Sequence, residues 1–378
     1  MGSRLACPFF MVSIRGKGRR LLKKRVMIGM SGGVDSSVAA LLLKQQGYEV
    51  VGATFRLFNE GDLHLNGESR CCSLDDVNDA RLVCDAIGIP HYVLNYKEMF
   101  REKVVDAFVR DYLAGVTPNP CIACNRYIKF EAFLQKAQSM GFDAVATGHY
   151  ARILKDEKTG RWALYRASVM NKDQSYVLYH LNQQSLPNTL MPLGEYGKDR
   201  VRAIAQENGL VVSHKPDSQD ICFVPDGDHA AFIERYTGTA PQAGVFTDRS
   251  GKVLGRHGGV QHFTIGQRKG LGISLGRPAF VVDIDAATNT VVLGEEDEAF
   301  SDTLLAGDIN MMSGEVVQAP FSCRAKIRYS HKEAPAVVSP AENGCLRVVF
   351  DTPQRAITKG QSVVFYSGDE VLGGGTIV

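Results

Sequence analysis

A short apolar run, Arg25-Val-Met-Ile-Gly-Met30, passes straight into Ser31-Gly-Gly-Val-Asp-Ser-Ser37 and then into apolar residues 38–43. This junction limits the fold more than any other stretch of the chain. Residues 25–30 read as a buried strand, and 36–46 as a helix so apolar that other elements must cover it. Two glycines between them allow a sharp turn that aims backbone N–H groups at a common point. With a helix N-terminus behind them and hydroxyls at Ser31 and Ser36, these residues form an anion site suited to phosphate. The lysine of a G-x-x-x-x-G-K-[ST] loop is absent. Asp35 would repel a phosphate, so it is expected to orient the loop or to hold Mg²⁺.

The alternation continues to residue 150. Strand-like runs at 48–55, 91–95 and 143–147 are interleaved with helical patterns at 74–87, 97–114 and 125–138. That order predicts an α/β domain with a doubly wound parallel sheet, assigned to residues 24–224. After a helical pattern at 228–236, paired β-branched runs flank turns, 245–248 with 252–254 and 279–283 with 290–293. Residues 225–300 are read as a small central domain. From 301 to 378 only strand-like segments remain, including 321–329, 346–350 and 362–366, which predicts a C-terminal β-barrel.

Charge is unevenly spread. Residues 1–25 carry eight cations (Arg4, Arg15, Lys17, Arg19, Arg20, Lys23, Lys24, Arg25) and no acid, leaving 35 basic against 41 acidic residues in the rest. Nucleic-acid binding by the body must therefore use local basic patches. Residues 1–23 are either a dispensable extension or an RNA-touching arm. No apolar run approaches the roughly 18–20 residues of a membrane span. Nine scattered cysteines fit a reducing cytoplasm rather than a disulfide framework.

The cysteines suggest chemistry. Thr117-Pro-Asn-Pro-Cys-Ile-Ala-Cys-Asn125 sets Cys121 and Cys124 on a proline-stiffened loop before a helix, with Asn125 as its expected cap. The helix dipole would then favour a Cys124 thiolate. Cys222 lies in the polar segment Lys215-Pro-Asp-Ser-Gln-Asp-Ile-Cys-Phe223. One C-x-x-C could be half a zinc site, a redox pair or a coincidence, with His149 a conceivable further ligand. Cys84, Cys323 and Cys345 read as packing, Cys71 and Cys72 as loop residues, and Trp162 as a packing anchor.

Ser31–Ser36 is similar to SGGxDS, the pyrophosphate loop of PP-loop ATPases, which split ATP between its α- and β-phosphates and adenylate a substrate. Over residues 24–378 the chain resembles the bacterial tRNA-specific 2-thiouridylases, the MnmA family. The resemblance rests on SGGVDSS (31–37), TPNPCIACN (117–125), IKFEAF (128–133), ATGHY (146–150), NKDQSY (171–176), DSQDICF (217–223), FTIGQRKGLG (263–272) and LGGGTI (372–377).

The resemblance implies ATP-dependent replacement of the 2-oxygen of a wobble uridine (position 34) by sulfur, in tRNAs expected to be those for Lys, Glu and Gln. It implies that Gly29, Met30, Ser31, Gly32, Gly33, Val34, Asp35 and Ser36 hold ATP phosphates, with Phe55 and Gly148 beside the adenosine. Cys222 would take a persulfide sulfur from a cysteine desulfurase or relay protein, and Cys124 would release it through a transient Cys124–Cys222 disulfide. Asn119, Pro120 and Cys121 would lie near the target base. His149, Lys172, Asp173, Gln174, Arg328, Tyr329 and Gln361 would contact tRNA. Many family members carry an acid at the position of Cys121. Here Cys121, Cys124 and Cys222 could instead hold a 4Fe-4S cluster. Gln267-Arg268-Lys269 is expected in a mobile segment beside the site. Arg324, Lys326 and Arg328 alternate along the 321–329 segment and so are expected on one strand face.

Overall fold

The computed structural model describes residues 23–59, 74–157, 159–216 and 221–378. The extension at 1–22 and the pair Cys71 and Cys72 lie outside them. Seven strands arise in the first half: β1 (Arg25–Gly29), β2 (Glu49–Arg56), β3 (His91–Asn95), β4 (Ala144–Ala146), β5 (Ala151–Lys155), β6 (Trp162–Arg166) and β7 (Thr189–Leu190). Five of them form the parallel sheet β3-β2-β1-β4-β7.

Both faces of β1 are covered, which is why it reads as an unbroken apolar run. Val26 and Ile28 pack into a cluster with helices α1 (Val34–Gln45) and α2 (Leu74–Ile87), including Val38, Leu42, Ala80 and Val83. Met27, between them, faces the other way toward Phe133, Leu134 and Ala137. The period-two alternation of β1 therefore serves two cores at once.

The helical pattern at 97–114 is continuous, with a π-helical stretch at Arg101–Val105 between Lys97–Phe100 and Asp106–Leu113. The pattern at 125–138 begins earlier than its periodicity indicates. It runs through Pro120–Ala123, π-helical Cys124–Ala132 and Phe133–Ser139.

The central segment forms the sheet β10-β11-β8-β9 from β8 (Gly244–Thr247), β9 (Val253–His257), β10 (Phe280–Asp285) and β11 (Thr290–Gly294). It follows helix His229–Thr237, capped by the Asp228 carboxylate, which accepts from the Ala231 N–H at 2.9 Å. The last six strands are β12 (Phe300–Met311), β13 (Phe321–Lys326), β14 (Ala334–Pro340), β15 (Leu346–Arg355), β16 (Ser362–Ser367) and β17 (Glu370–Ile377). Pairing between β12 and β17 closes them into a barrel.

Two details depart from the sequence reading. Hairpin β5–β6 lies in the N-terminal half of the chain but pairs through β6 with β17, extending the barrel sheet. Strand β13 stops at Lys326, so Arg328 is not on it. Trp162, at the start of β6, packs against the core shared by the hairpin and the barrel, as a packing anchor would.

Candidate active site

Strands β1 and β4 lie side by side where the sheet order turns, the place at which parallel α/β sheets open a crevice at their carboxyl ends. After β1 the chain turns through Gly32, at φ +69°, a conformation that favours glycine. A Cβ there would stand 2.5 Å from the Asp76 carbonyl oxygen. Gly33 is the N-cap of α1 and offers no side-chain cap, so the first-turn N–H groups have no capping side chain. The Ser36 hydroxyl donates to the Gly33 carbonyl at 3.1 Å and accepts from the Ser31 N–H at 3.2 Å, which folds the loop over the helix end.

From the other side, Gly148 follows β4 so closely that a Cβ would sit 2.7 Å from the Ser36 nitrogen. The Phe55 ring closes the β2 side, 3.3 Å from where a Gly29 Cβ would lie. It also packs edge-on to Phe133 and Tyr96, at ring distances of 4.7 and 5.5 Å. The structure thus brings together residues 29–36, Phe55 and Gly148, and a glycine-walled cradle at an uncapped helix end fits a polyphosphate.

Asp35 is strongly engaged. Lys198 Nζ lies 2.8 Å from each of its carboxylate oxygens, and the Tyr150 hydroxyl donates to Oδ1 at 2.6 Å. This supports the loop-orienting role. Lys198 and Tyr150 carried no assigned role in the sequence, because no local spacing announces a lysine 163 residues from its carboxylate.

The cap at the cysteine motif is Asn119, not Asn125. Asn119 Oδ1 accepts from the Cys121 N–H at 3.2 Å and the Ile122 N–H at 3.4 Å, with Pro120 in the first helical position. Asn125 lies buried within the helix and donates to the Val177 carbonyl at 2.9 Å. Cys121 therefore occupies the first turn, where the N-terminal partial charge is felt, and Cys124 sits one turn further in. Cys121 is exposed, while Cys124 and Cys222 are half-buried. Both of the latter pack on one aromatic cluster that includes Phe100, Phe108 and Phe223. Phe55, beside Gly29, packs against the same cluster and links the thiols to the nucleotide cradle.

A resident cluster needs its thiols gathered as ligands. Among the described residues no group of three His, Cys, Asp or Glu side chains is placed to hold a metal ion. The set Cys121, Cys124 and Cys222 does not fit a 4Fe-4S cluster in this structure.

The residues expected on tRNA take varied positions. Gln361 Nε2 donates to the Thr117 carbonyl at 2.9 Å, steadying the loop before Asn119. The exposed Tyr329 reaches the Asp173 carbonyl at 3.4 Å and lies within electrostatic range of Cys121. The Asp173 carboxylate accepts from Ser175 and from the Ala167 N–H. Gln174 is bonded to the backbone of Tyr150 in both directions, and Lys172 ends the short turn Met170–Lys172. His149 accepts or donates at Nδ1 with Thr147 at 2.8 Å. Burial, with Lys129 adding to it, holds its pKa well below the usual histidine range.

Arg328 does not share a face with Arg324 and Lys326. Its Nη2 donates to the carbonyls of Ile265 and Ala356 and to the Thr358 hydroxyl. Arg324 turns instead to Glu333, and Lys326 lies 5.6 Å from the ring centres of Tyr176 and Tyr329. Cys84 is buried beside the sheet, and burial and nearby Asp85 push its thiol up to about 12, as expected of a packing cysteine.

A glycine cradle between β1 and an uncapped helix, at the switch point of a parallel sheet, defines a nucleotide-binding domain of the HUP, PP-loop class. Family models agree along the chain: a tRNA methyl transferase HUP domain over residues 24–226, a tRNA methyl transferase PRC-barrel domain over 230–295, and an aminomethyltransferase beta-barrel domain over 301–377. The chain is 54% identical over 356 residues to the tRNA-specific 2-thiouridylase MnmA of Clostridioides difficile, covering 94% of this chain and 98% of that protein. It is 55% identical to the protein of that name from Acetivibrio thermocellus, covering 94% and 99%. The chain belongs to the MnmA family of tRNA-specific 2-thiouridylases.

Proposed function

We propose that the protein replaces the 2-oxygen of the wobble uridine of tRNA with sulfur, using ATP. The observation that carries this reading is the packing of Cys124 and Cys222 on one cluster that Phe55 joins to the pyrophosphate cradle. In this reading the uridine 2-oxygen attacks the α-phosphorus of ATP, the bond to the β-phosphate breaks, and pyrophosphate leaves. The loop N–H groups offset the charge that develops there, and Lys198 neutralises the Asp35 carboxylate beside them. The terminal sulfur of a Cys222 persulfide then attacks C2, and the C–O bond to AMP breaks. Cys124 attacks the Cys222 sulfur, the S–S bond cleaves toward the base as 2-thiouridine, and a Cys124–Cys222 disulfide remains for an external thiol to reduce.

Asn119, Pro120, Cys121, His149, Lys172, Asp173, Gln174, Tyr329 and Gln361 form the proposed tRNA side, with Arg328 supporting it from within. The proposed substrates are the tRNAs for Lys, Glu and Gln, and the proposed donor is a cysteine desulfurase or relay persulfide. The catalytic, central and barrel segments are divided at 224/225 and 300/301. Mg²⁺ would accompany ATP, held mainly by phosphate and water.

The words methyl transferase in the family descriptions suggest a second reading. Methyl transfer needs no pyrophosphate cradle, and the glycine-walled turn at an uncapped helix end supports the ATP-dependent reading instead. The deciding experiment is anaerobic purification with iron, sulfide and zinc assays, then single-turnover thiolation from a persulfide donor. Sulfur incorporation by iron-free protein, with release of AMP and pyrophosphate, is expected. Activity that tracks iron content would overturn the persulfide route.

A further inference from the structure

Cys222 must reach a uridine activated at the phosphate cradle, so the segment carrying it needs a fixed relation to that loop. Downstream it is anchored by Phe223, which is buried among Phe100, Phe108 and Phe232 at ring distances of 5.2–5.8 Å. Upstream the anchors are ionic. Lys215 Nζ lies 2.7 Å from Asp76 Oδ1 and 2.7 Å from Asp79 Oδ2, on the first turns of α2. The Asp76 side chain is only 6% exposed, and its backbone is the surface against which Gly32 packs. The cation on the Cys222 arm thus grips the residue that backs the pyrophosphate loop.

A second grip comes from helix Lys198–Glu207. Arg202 Nη1 donates to the carbonyls of Ser213 and Lys215, both at 3.1 Å. Four residues earlier on the same helix face, Lys198 holds Asp35. One helix therefore holds the loop with one cation and the backbone of Ser213 and Lys215, upstream of Cys222, with the next.

We propose that Lys215 and Arg202 are positioning residues that lock the Cys222 arm to the pyrophosphate loop, so that sulfur delivery and nucleotide activation share one frame. Neither touches the reacting atoms. Their effect is geometric, and a displacement of about 1 Å between reacting groups costs on the order of 100-fold. The proposal rests on the persulfide reading of Cys222 for its consequence in catalysis, and on the contacts alone for the frame.

The test uses the full-length protein with tRNA and a persulfide donor. Lys215→Met should lower single-turnover sulfur transfer by roughly 10- to 100-fold while tRNA-dependent pyrophosphate release stays within a few-fold. Lys215→Arg should recover most of the loss. Peptide-resolved alkylation of the folded protein by iodoacetamide should be several-fold faster at Cys222 in Lys215→Met, with Cys84 still protected. Arg202→Gln and Asp79→Asn should move both readouts in the same direction, and they carry the test if Lys215→Met does not fold. Equal loss of pyrophosphate release and thiolation would reduce Lys215 to a support of the loop and overturn the proposal. Unchanged alkylation at Cys222 would do the same, whatever Cys222 does in catalysis. Full thiolation by Cys222→Ser, with faster alkylation in Lys215→Met, would remove the persulfide reading and leave the frame standing.

Discussion

The ammonium of Lys198 lies 2.8 Å from both carboxylate oxygens of Asp35, and only 10% of the lysine side chain is exposed. The pair stands at the first turn of α1, so the carboxylate that would repel a phosphate is neutralised by a cation at the same place.

Loss of either partner should therefore damage adenylation rather than tRNA binding. Asp35→Ala should lose tRNA-dependent conversion of ATP to AMP and pyrophosphate. Lys198→Met leaves a carboxylate beside the cradle with the Tyr150 hydroxyl and no cation. A charge-assisted contact is worth about 1.5–3 kcal/mol, which corresponds to roughly a 10- to 160-fold lower rate. Pyrophosphate release is the measurement. Wild-type release of ADP and phosphate would contradict the PP-loop reading outright.

The two half-buried thiols should separate by kinetics. Cys222→Ser should abolish thiolation and leave tRNA affinity nearly unchanged, because the thiol supplies a reaction and little contact area. Cys124→Ser should fail in multiple turnover. Given a preloaded Cys222 persulfide and external thiol, it should still transfer part of one equivalent. Full thiolation by Cys222→Ser would take Cys222 out of the mechanism.

Arg328 and Tyr329 are adjacent yet differently used. The Arg328 guanidinium spans three acceptors, one of them the Ile265 carbonyl of the central domain, and burial lowers its pKa. Arg328→Ala should lower the unfolding temperature and leave the salt dependence of tRNA binding unchanged. A slope smaller by about one unit would instead identify a phosphate contact. Tyr329→Ala should cost roughly 1–3 kcal/mol of tRNA affinity if its exposed ring stacks on a base. Neither variant should change ATP affinity.

Local signals made much of this legible in the sequence. The apolar 25–30 run, the paired glycines and the apolar helix gave the cradle, because each acts over a few residues. Asn119 as the cap was also locally encoded: an asparagine before Pro120 is a helix start. The C-x-x-C spacing drew attention to Asn125 instead, which is a core residue of the helix. Contacts chosen across the chain were hidden. Hairpin β5–β6 selects β17 as its partner some 200 residues away, and the acceptors of Arg328 come from one earlier and one later segment. Period-two spacing of Arg324, Lys326 and Arg328 described a strand that ends before its third cation, because Arg328 turns to the central domain.

The last prediction concerns acid stability, through His180. Its ring lies 4.0 Å from that of Tyr179, and burial drives its pKa down to about 4; nearby Arg126 adds to this, and Asp308 opposes it. In the unfolded chain the same imidazole takes a proton near pH 6.5. Between these values the unfolded state binds the proton and the folded state does not. Stability conferred by the neutral ring is therefore complete above about pH 6.5, falls as pH drops toward about 4, and levels off below it. The slope is at most about 1.4 kcal/mol per pH unit for one proton. His149 is shifted in the same direction by burial and Lys129, so a His180 variant should remove only part of the acid sensitivity. Urea unfolding of wild type and His180→Gln at intervals from pH 4 to pH 8 measures it. The variant's stability should fall less steeply below pH 6.5. Parallel curves would mean that His180 charges as readily in the folded protein as outside it.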